Sequence, residues 1–331
     1  MNMVNVGIVG ATGLIGQTFL KVMEERKFPV NNLYLFASSK SKGKKITFNN
    51  KEYEVEELNE NSFDKPIDIA LFSAGGTISK KYAPLAKEKG IIVVDNSSAW
   101  RMEPWVPLIV PEVNKEAVEK HQGIISNPNC STIQSVIPLK PLHDKYGLKR
   151  VVFSTYQSVS GSGLSGLMDL EKGLTSTYHN KYPHPIAFNV LPHIDDFLDN
   201  GYTKEEMKMI EETKKILNDP NIKITATTVR VPVRYGHAVS ANIELGKPFE
   251  LEDVYDLLSN FEGIEVLDDP ANNVYPMPIL AEGKDKVYVG RIRRDFSVEN
   301  GLNIWIVADN CRKGAATNTI QIAELLINRR F

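Results

Sequence analysis

The stretch VNVGIVGATGLIG, residues 4–16, joins a β-favouring run to a glycine-rich turn and the start of an apolar helix. Val4–Val9 favours a strand, and from Leu14 onward apolar residues recur at roughly helical spacing. In a strand–turn–helix context, glycines such as Gly10 and Gly13 let the backbone approach a pyrophosphate that sits on the N terminus of the helix. The stretch predicts a dinucleotide-binding unit; a tight packing turn is the alternative that the motif alone leaves open.

The next β-favouring run, Leu33–Ala37, leads into a loop rich in hydroxyls and cations. NAD-binding proteins of this kind usually carry Asp or Glu at this point, where it binds the ribose 2′-hydroxyl. Residues 38–44 read SSKSKGK, beginning with Ser38 and Ser39, and contain no acid. Such a loop suits a 2′-phosphate and predicts NADP(H) rather than NAD(H), the alternative being a solvated basic loop.

Two further apolar runs, Ile67–Phe72 and Ile91–Asp95, end in small polar residues. This pattern is typical of a parallel sheet whose ligand lies along the carboxyl edge of its strands. Arg101 follows the second run closely; beside a phosphorylated substrate it would bind phosphate bidentately, and elsewhere it would be a surface arginine. The first part of the chain therefore predicts an α/β fold with a Rossmann-like doubly wound parallel sheet.

Composition places the chain among ordinary globular proteins. Its 331 residues exceed what one core usually supports, so we expect two domains. A net charge of −2 argues against a nucleic-acid-binding surface, and no apolar run approaches the roughly 20 residues of a membrane span. With no signal-peptide pattern and two cysteines, we expect a cytoplasmic enzyme in a reducing compartment, and we expect no metal site.

The stretch NPNCST, Asn127–Thr132, holds one of the two cysteines. A β-favouring run precedes it and apolar residues at helical spacing follow, which predicts strand, tight turn and helix start, with Cys130 in the first helical turn. Unpaired N–H groups and the helix dipole would lower the pKa of this thiol, and the same N–H groups could hold an oxyanion. Its polar neighbours favour a nucleophile over the alternative of an inert buried cysteine.

A second β-prone run, Val151–Val159, ends in a serine- and glycine-rich loop. The loop could accept a nicotinamide or its ribose, and Gln157 could orient a bound acyl group. A plain turn fits the spacing equally well.

The runs Ile222–Val233 and Ala238–Leu245 read as strands around a glycine turn. Arg230 lies in the first run and His237 follows the turn, so in a continuous strand their odd separation would place them on opposite faces. A bulge at Gly236 would turn both towards one pocket. Histidine is the commonest general base for activating a thiol or protonating an oxygen, and a structural histidine is the alternative.

The stretch Tyr202–Asn218 reads as an exposed helix in which Glu212 and Lys215 form a surface ion pair, on spacing alone. Strand-like runs at Lys286–Arg293 and Asn303–Val307 suggest an open sheet that pairs between subunits.

The last helical stretch, Gly314–Ile327, is expected to pack back on the nucleotide domain, with Asn310 near the cofactor. We therefore predict an NADP-binding domain of residues 1–127 with 310–331, and an α+β catalytic and dimerisation domain of residues 128–309.

Three motifs together resemble the aspartate-semialdehyde dehydrogenases of the shorter bacterial type: NPNCST at 127–132, TYQSVSGSG at 155–163 and RVPVRYGH at 230–237. The resemblance covers the chain from about Val4 to the final helix. It implies a homodimeric enzyme that reduces L-aspartyl 4-phosphate to L-aspartate 4-semialdehyde and phosphate with NADPH. This reaction lies on the route to lysine (through diaminopimelate), methionine, threonine and isoleucine.

The resemblance also implies roles for individual residues. The nucleophile falls on Cys130, the acid–base histidine on His237 and the acyl-orienting glutamine on Gln157. The cofactor contacts fall on Thr12, Gly13, Leu14, Ile15, Lys40, Ser41, Ser160, Gly161 and Asn310. Lys40 stands where many relatives carry Arg, which keeps the charge but loses the planar fork.

By the same resemblance, Arg230 pairs with the α-carboxylate of the substrate and Glu212 lies near its amino group. Arg101 and Lys215 bind its phosphate, with Asn129 alongside. This replaces the surface-pair interpretation of Glu212 and Lys215.

Two alternatives stay open at this stage. An N-acetyl-gamma-glutamyl-phosphate reductase shares acyl-phosphate reduction, but its cysteine stretch differs from NPNCST and its substrate has no free ammonium for Glu212. A catalytically silent NADP-binding homologue would not need Cys130, Gln157, Arg230 and His237 together.

Overall fold

The computed structural model describes residues 3–330, which form two compact units. The first unit comprises the chain through Pro128 and the chain from Ala315 onward, and the second comprises Asn129–Gly314. Among the described residues, no helix combines the length and the apolar character that crossing a membrane requires.

The first unit contains a largely parallel sheet in the order β3-β4-β2-β1-β5-β6-β7, in which β3 pairs antiparallel with β4. Its strands are β1 Val4–Val9, β2 Val30–Ala37, β3 Lys45–Phe48, β4 Lys51–Glu57, β5 Ile69–Phe72, β6 Ile92–Asp95 and β7 Ile124–Ser126.

The second unit contains a mixed sheet in the order β11-β12-β13-β10-β8-β9. Its strands are β8 Leu148–Gln157, β9 Lys223–Arg230, β10 His237–Leu245, β11 Ile264–Val266, β12 Val287–Asp295 and β13 Gly301–Ala308. Strand β8 pairs parallel with β9 and antiparallel with β10.

The α-helices of the described residues are, in chain order, α1 Leu14–Glu25, α2 Gly76–Glu88, α3 Pro111–Asn114, α4 Cys130–Tyr146, α5 Gly163–Gly173, α6 Lys204–Leu217, α7 Leu251–Ser259, α8 Pro278–Ala281 and α9 Thr317–Arg330. The predicted strand at Val4–Val9 and the helix from Leu14 to about Glu25 coincide with β1 and α1. A π-helical turn at Arg312–Ala316 precedes α9, so the last regular helix begins later than predicted.

Helices cover both faces of the first sheet, which confirms the predicted doubly wound α/β fold. Alternate strand residues such as Ile8 and Leu71 belong to a core shared with α1 and α9, whereas Val9 and Phe72 belong to a core shared with α2. Helix α9 therefore packs on the first unit, as predicted. Burial on both faces explains why these strands read as continuous apolar runs.

One face of the second sheet is buried and the other is open. In β8, Val151 and Phe153 are fully buried, while Tyr156 is 41% exposed. Tyr156 contacts Trp305 of β13 on the open face, with ring centroids 5.4 Å apart. The predicted open sheet is therefore present in this unit.

Two glycines fix the turn between β1 and α1. Gly10 has φ +90°, a conformation that a side chain disfavours. A Cβ on Gly16 would lie 2.3 Å from the carbonyl oxygen of Gly10. The backbone of the turn therefore lies directly against the helix at Gly16.

We predict that Gly16→Ala destabilises the protein by about 2 kcal/mol or more, because the added methyl group must displace backbone rather than a flexible side chain. The matched control is Gly76→Ala at the start of α2, where a Cβ meets nothing closer than Ala99 at 4.0 Å. Thermal unfolding of both variants checks this. An unfolding temperature equal to the wild type for Gly16→Ala would contradict the close approach.

Candidate active site

Cys130 is the first residue of α4 and is half-buried, and both cysteines of the chain are free thiols. Asn129 is the N-cap: its Oδ1 accepts the N–H groups of Ser131 at 3.0 Å and Thr132 at 3.3 Å. Asn is among the preferred N-cap residues, so the sequence specifies the helix start locally. The predicted position of Cys130 in the first helical turn is confirmed.

The cap changes one expectation. The N–H groups of the first turn of α4 are expected to hold an oxyanion, but those of Ser131 and Thr132 already donate to Asn129. The positive end of the helix dipole still favours a negative sulfur at Cys130. An oxyanion at this helix start would compete with Asn129 for these two N–H groups.

The other polar groups of Asn129 bind two glutamates of α6. Its backbone N–H donates to Glu212 Oε2 at 2.7 Å, and its Nδ2 donates to Glu205 Oε1 at 2.8 Å. Glu212 is 1% exposed, so the expectation of a surface ion pair is wrong for this residue. Glu212 instead holds the backbone immediately before the cysteine.

Glu205 is a site residue that the sequence analysis missed. Its carboxylate also accepts Gln157 Nε2 at 3.1 Å and Lys208 Nζ at 3.1 Å. Burial alone would raise its pKa, but the charge of Lys208 and the hydrogen bonds from Asn129 and Gln157 outweigh burial and lower the pKa of Glu205 to about 2. Glu205 is therefore a buried carboxylate that stays ionised at neutral pH.

The sequence did contain a signal for Glu205. The spacing of Glu205 and Lys208 repeats in Glu212 and Lys215, two helical turns later on the same face of α6. The resemblance implies roles for the second pair, but Glu205 of the first pair is the residue whose side chain contacts both Asn129 and Gln157. Glu212 of the second pair contacts the Asn129 backbone. Lys215 is half-buried farther along the helix.

Gln157 ends β8 and is 1% exposed. Its Nε2 donates to Glu205, and its Oε1 accepts Thr155 Oγ1 at 3.0 Å. Because the amide nitrogen faces Glu205 and the amide oxygen faces Thr155, the side chain of Gln157 is held in one orientation.

Arg230 and His237 meet, but not through the predicted bulge. Arg230 ends β9 and His237 begins β10, and β8 lies between these strands. Since β8 runs parallel to β9 and antiparallel to β10, both residues lie at the edge of the sheet where β8 ends. Gly236, with φ +84°, belongs to the connecting turn.

Gly161 shows how close the two side chains are. A Cβ on Gly161 would lie 2.9 Å from Arg230 Nη1 and 3.3 Å from His237 Nε2. Arg230 Nη1 also donates to the carbonyl of Ser158 at 2.7 Å. The backbone of the serine–glycine loop therefore lies directly against both.

Two buried polar atoms here lack a hydrogen-bond partner among the described residues, namely His237 Nε2 and Arg230 Nε. His237 is fully buried and Arg230 is 5% exposed. Burial, and then the charge of Arg230, lowers the pKa of His237 to about 3 against the opposing effect of Glu205. A neutral imidazole and a guanidinium with unsatisfied donors are typical of a site that awaits a polar ligand.

Ser160 and Asn310 lie behind His237 in the second unit. Asn310 Oδ1 accepts Ser158 Oγ at 3.0 Å and Ser160 Oγ at 3.1 Å, and both Asn310 and Ser160 are 3% exposed. The structure gives them a role within the unit, and their cofactor contact stays a prediction.

In the first unit, Arg101 follows β6 as predicted. It is buried, and its Nη2 donates to the carbonyl of Asn96 at 2.8 Å.

The predicted nucleotide contacts of the first unit fit a dinucleotide. Gly13 is the N-cap of α1 and has no side chain to cover the first-turn N–H groups, which include those of Leu14 and Ile15. Thr12 Oγ1 donates to Ser41 Oγ at 3.3 Å, which joins the turn after β1 to the loop after β2. In that loop Ser38, Ser39 and Lys40 are exposed.

Two family models match the chain. Residues 5–121 match "Semialdehyde dehydrogenase, NAD binding domain", and residues 139–313 match "Semialdehyde dehydrogenase, dimerisation domain".

The chain is similar over nearly its whole length to aspartate-semialdehyde dehydrogenases. It is 59% identical to an aspartate-semialdehyde dehydrogenase of Aquifex aeolicus, with 97% of each chain covered. A crystal structure of aspartate semialdehyde dehydrogenase II from Vibrio cholerae, complexed with ASA, has a TM-score of 0.96 at 47% identity and full coverage of both chains. The enzyme of Candida albicans with NADP has a TM-score of 0.79 at 28% identity, covering 98% of this chain and 99% of that one.

The neutral state of His237 has a consequence for stability. Between its ordinary pKa of 6.5 and its folded value of about 3, the unfolded chain binds a proton that the folded protein does not. Stability is therefore lost as the pH falls through this window, by at most about 1.4 kcal/mol per pH unit for one group.

We predict that His237→Gln makes the free energy of unfolding less steep in pH between about 6.5 and 4.5, a window above most carboxylate titrations. Chemical denaturation at several pH values measures this slope in wild type and variant. Equal slopes would mean that His237 is not held neutral.

Proposed function

The chain belongs to the semialdehyde dehydrogenase family, and on that premise we propose that it reduces L-aspartyl 4-phosphate reversibly to L-aspartate 4-semialdehyde and phosphate with NADPH. This reaction belongs to the biosynthesis of lysine, methionine, threonine and isoleucine. The observation that carries the proposal is the grouping, within one unit, of Cys130 on a capped helix N terminus with Glu205, Gln157, Arg230 and His237.

We assign nucleotide binding to the first unit and catalysis to the second. The family name of the second region and the open face of its sheet support a homodimer built on that sheet. Two free thiols in a chain of this length fit a reducing compartment, such as the cytoplasm.

Cys130 is the proposed nucleophile. Its thiol loses a proton to His237, and the sulfur then forms a bond to the acyl carbon of aspartyl phosphate. The carbon–oxygen bond to phosphate breaks and phosphate leaves with the electron pair, which gives a thioester. Lys208, paired with Glu205, is the lysine that we now assign to phosphate in place of Lys215.

The thioester is set up for reduction, since its carbonyl carbon accepts a hydride readily. NADPH supplies that hydride when bound. His237 returns its proton to the oxygen of the resulting thiohemiacetal and takes it back as the carbon–sulfur bond breaks, which releases the aldehyde and leaves Cys130 as a thiolate. The proton on His237 then returns the sulfur to the thiol. His237 thus works as base, acid and base again.

Arg230 and Glu205 select the aspartyl group. The buried guanidinium of Arg230, with its Nε lacking a partner among the described residues, suits the α-carboxylate as a bidentate ligand. The ionised Glu205 suits the α-ammonium, and we assign it this role in place of Glu212 because Glu212 binds the Asn129 backbone. An N-acetylated substrate has no ammonium group to pair with this carboxylate.

Cys130→Ser should lower phosphate-dependent NADPH formation from aspartate semialdehyde by at least about 1,000-fold, because a hydroxyl is not ionised beside a histidine at neutral pH. NADPH binding, followed by its fluorescence, should be unchanged, which separates lost chemistry from lost folding. If this variant turned over at the wild-type rate, Cys130 could not be the nucleophile.

Two matched substitutions on α6 test the assignment of the ammonium site. Glu205→Gln removes the charge and should raise the KM for aspartate semialdehyde by about 10-fold or more, the loss of a hydrogen bond to a charged group. Glu212→Gln keeps an oxygen for the Asn129 N–H and should have the smaller effect. If Glu212→Gln raised the KM for aspartate semialdehyde more than Glu205→Gln does, Glu212 would be the residue that binds the ammonium group.

A substitution at Lys40 tests the proposed preference for NADP over NAD. Lys40→Ala should raise the KM for NADP by about 10-fold through the loss of a charged phosphate contact, while the weak use of NAD stays the same. Lys51→Ala removes another exposed lysine of the same unit and is the control. If NAD supports turnover as well as NADP in the wild type, the preference for NADP is refuted.

A further inference from the structure

The Nδ1 atom of His237 faces two different groups of one residue. The backbone N–H of Ser158 points to it at 2.9 Å, and the hydroxyl of Ser158 lies 3.0 Å from it. A backbone N–H can only donate, whereas a hydroxyl can donate or accept. While the Ser158 N–H points at Nδ1, that nitrogen is an acceptor; an Nδ1 that carries a proton must turn from this N–H towards the hydroxyl, which lies 3.0 Å away.

The hydroxyl of Ser158 has two neighbours that can accept its proton, Asn310 Oδ1 and, at 3.1 Å, Ser160 Oγ. Asn310 Oδ1 accepts the N–H of Gly236 at 2.9 Å, and this bond fixes the amide with its oxygen towards the turn. The same oxygen accepts the hydroxyl of Ser158 at 3.0 Å, while Asn310 Nδ2 donates to Ser160 Oγ at 3.0 Å. With its proton directed at Asn310, Ser158 Oγ presents a lone pair to His237.

We propose that Ser158, oriented by Asn310, is a positioning residue that gives His237 two usable tautomers. In one, Nδ1 accepts the Ser158 N–H and Nε2 carries the proton. In the other, the imidazole ring has turned so that Nδ1–H leaves the Ser158 N–H and donates to Ser158 Oγ, which donates to Asn310 Oδ1, and the lone pair of Nε2 faces the site. Only the second tautomer can take a proton from a thiol or a thiohemiacetal hydroxyl at Nε2.

The hydroxyl matters because the imidazole has little other support for a positive charge. His237 is fully buried, and the charge of Arg230 opposes its protonation while Glu205 favours it. Once Nε2 has taken a proton, Nδ1–H needs an acceptor, and the backbone N–H of Ser158 cannot be one. Ser158 Oγ is the acceptor that remains next to Nδ1, so proton transfer to His237 depends on it.

Ser158→Ala separates the two groups, since it keeps the backbone N–H and removes the hydroxyl. We expect kcat to fall roughly 100-fold, the lower range for losing general acid–base catalysis, with the KM for aspartate semialdehyde within about threefold of wild type. Ser158→Thr retains the hydroxyl and should restore most of kcat. Ser135→Ala removes another buried hydroxyl of the same unit, one that donates to the Ser131 carbonyl at 2.7 Å, and is the control for packing.

15N NMR of the full chain with ring-labelled histidine measures which ring nitrogen of His237 carries the proton. The His237 signals are the ones that disappear in the His237→Gln variant. Wild type should show a proton shared between Nδ1 and Nε2, and Ser158→Ala should show Nε2–H alone. Identical tautomer patterns, or a wild-type kcat in Ser158→Ala, would overturn the proposal.

This inference rests on the proposed acid–base role of His237, but the two fail differently. The NMR pattern is measured in the resting protein without substrate. A wild-type chain that forms no NADPH from aspartate semialdehyde and phosphate would refute the proposed function while leaving the tautomer result intact.

Discussion

The hydrogen bonds of Asn129 are the constraint on which the candidate site depends. Its side-chain oxygen caps α4, its side-chain nitrogen binds Glu205 and its backbone N–H binds Glu212. One residue thereby ties the start of the cysteine helix to α6. Because the cap fixes the start of α4, it also fixes the backbone position of Cys130. The N-cap residue of α4 therefore both starts the helix and positions groups of the candidate site.

The second sheet supplies the remaining side chains from one edge. Strands β8 and β9 end there with Gln157 and Arg230, and β10 begins there with His237. Rigid strands hold these groups more firmly than loops would, which suits a site in which orientation carries much of the rate. The cost is the burial of several charged and polar groups together. Glu205 stays ionised because cationic and amide donors surround it, whereas His237 stays neutral first because it is buried and then because Arg230 lies beside it.

The elements with local signals were predictable, and the contacts that depend on tertiary register were not. The glycine turn fixed β1 and α1, and Asn129 before an apolar run marked the start of α4. The repeated spacing of Glu205–Lys208 and Glu212–Lys215 left two solutions, because residues seven apart share one helix face. The meeting of Arg230 and His237 depends on both strands pairing with β8, and periodicity along one strand cannot show which strand lies between two others.

The central claim is that the sulfur of Cys130 carries the acyl group, and trapping that thioester tests it most directly. The enzyme is mixed with aspartate semialdehyde and NADP but no phosphate, quenched in acid, digested and analysed by mass spectrometry. The account predicts a burst of NADPH no larger than the enzyme concentration, with the aspartyl group on the peptide that contains Cys130. An acyl group on another residue, or a burst without any acylated peptide, would contradict it.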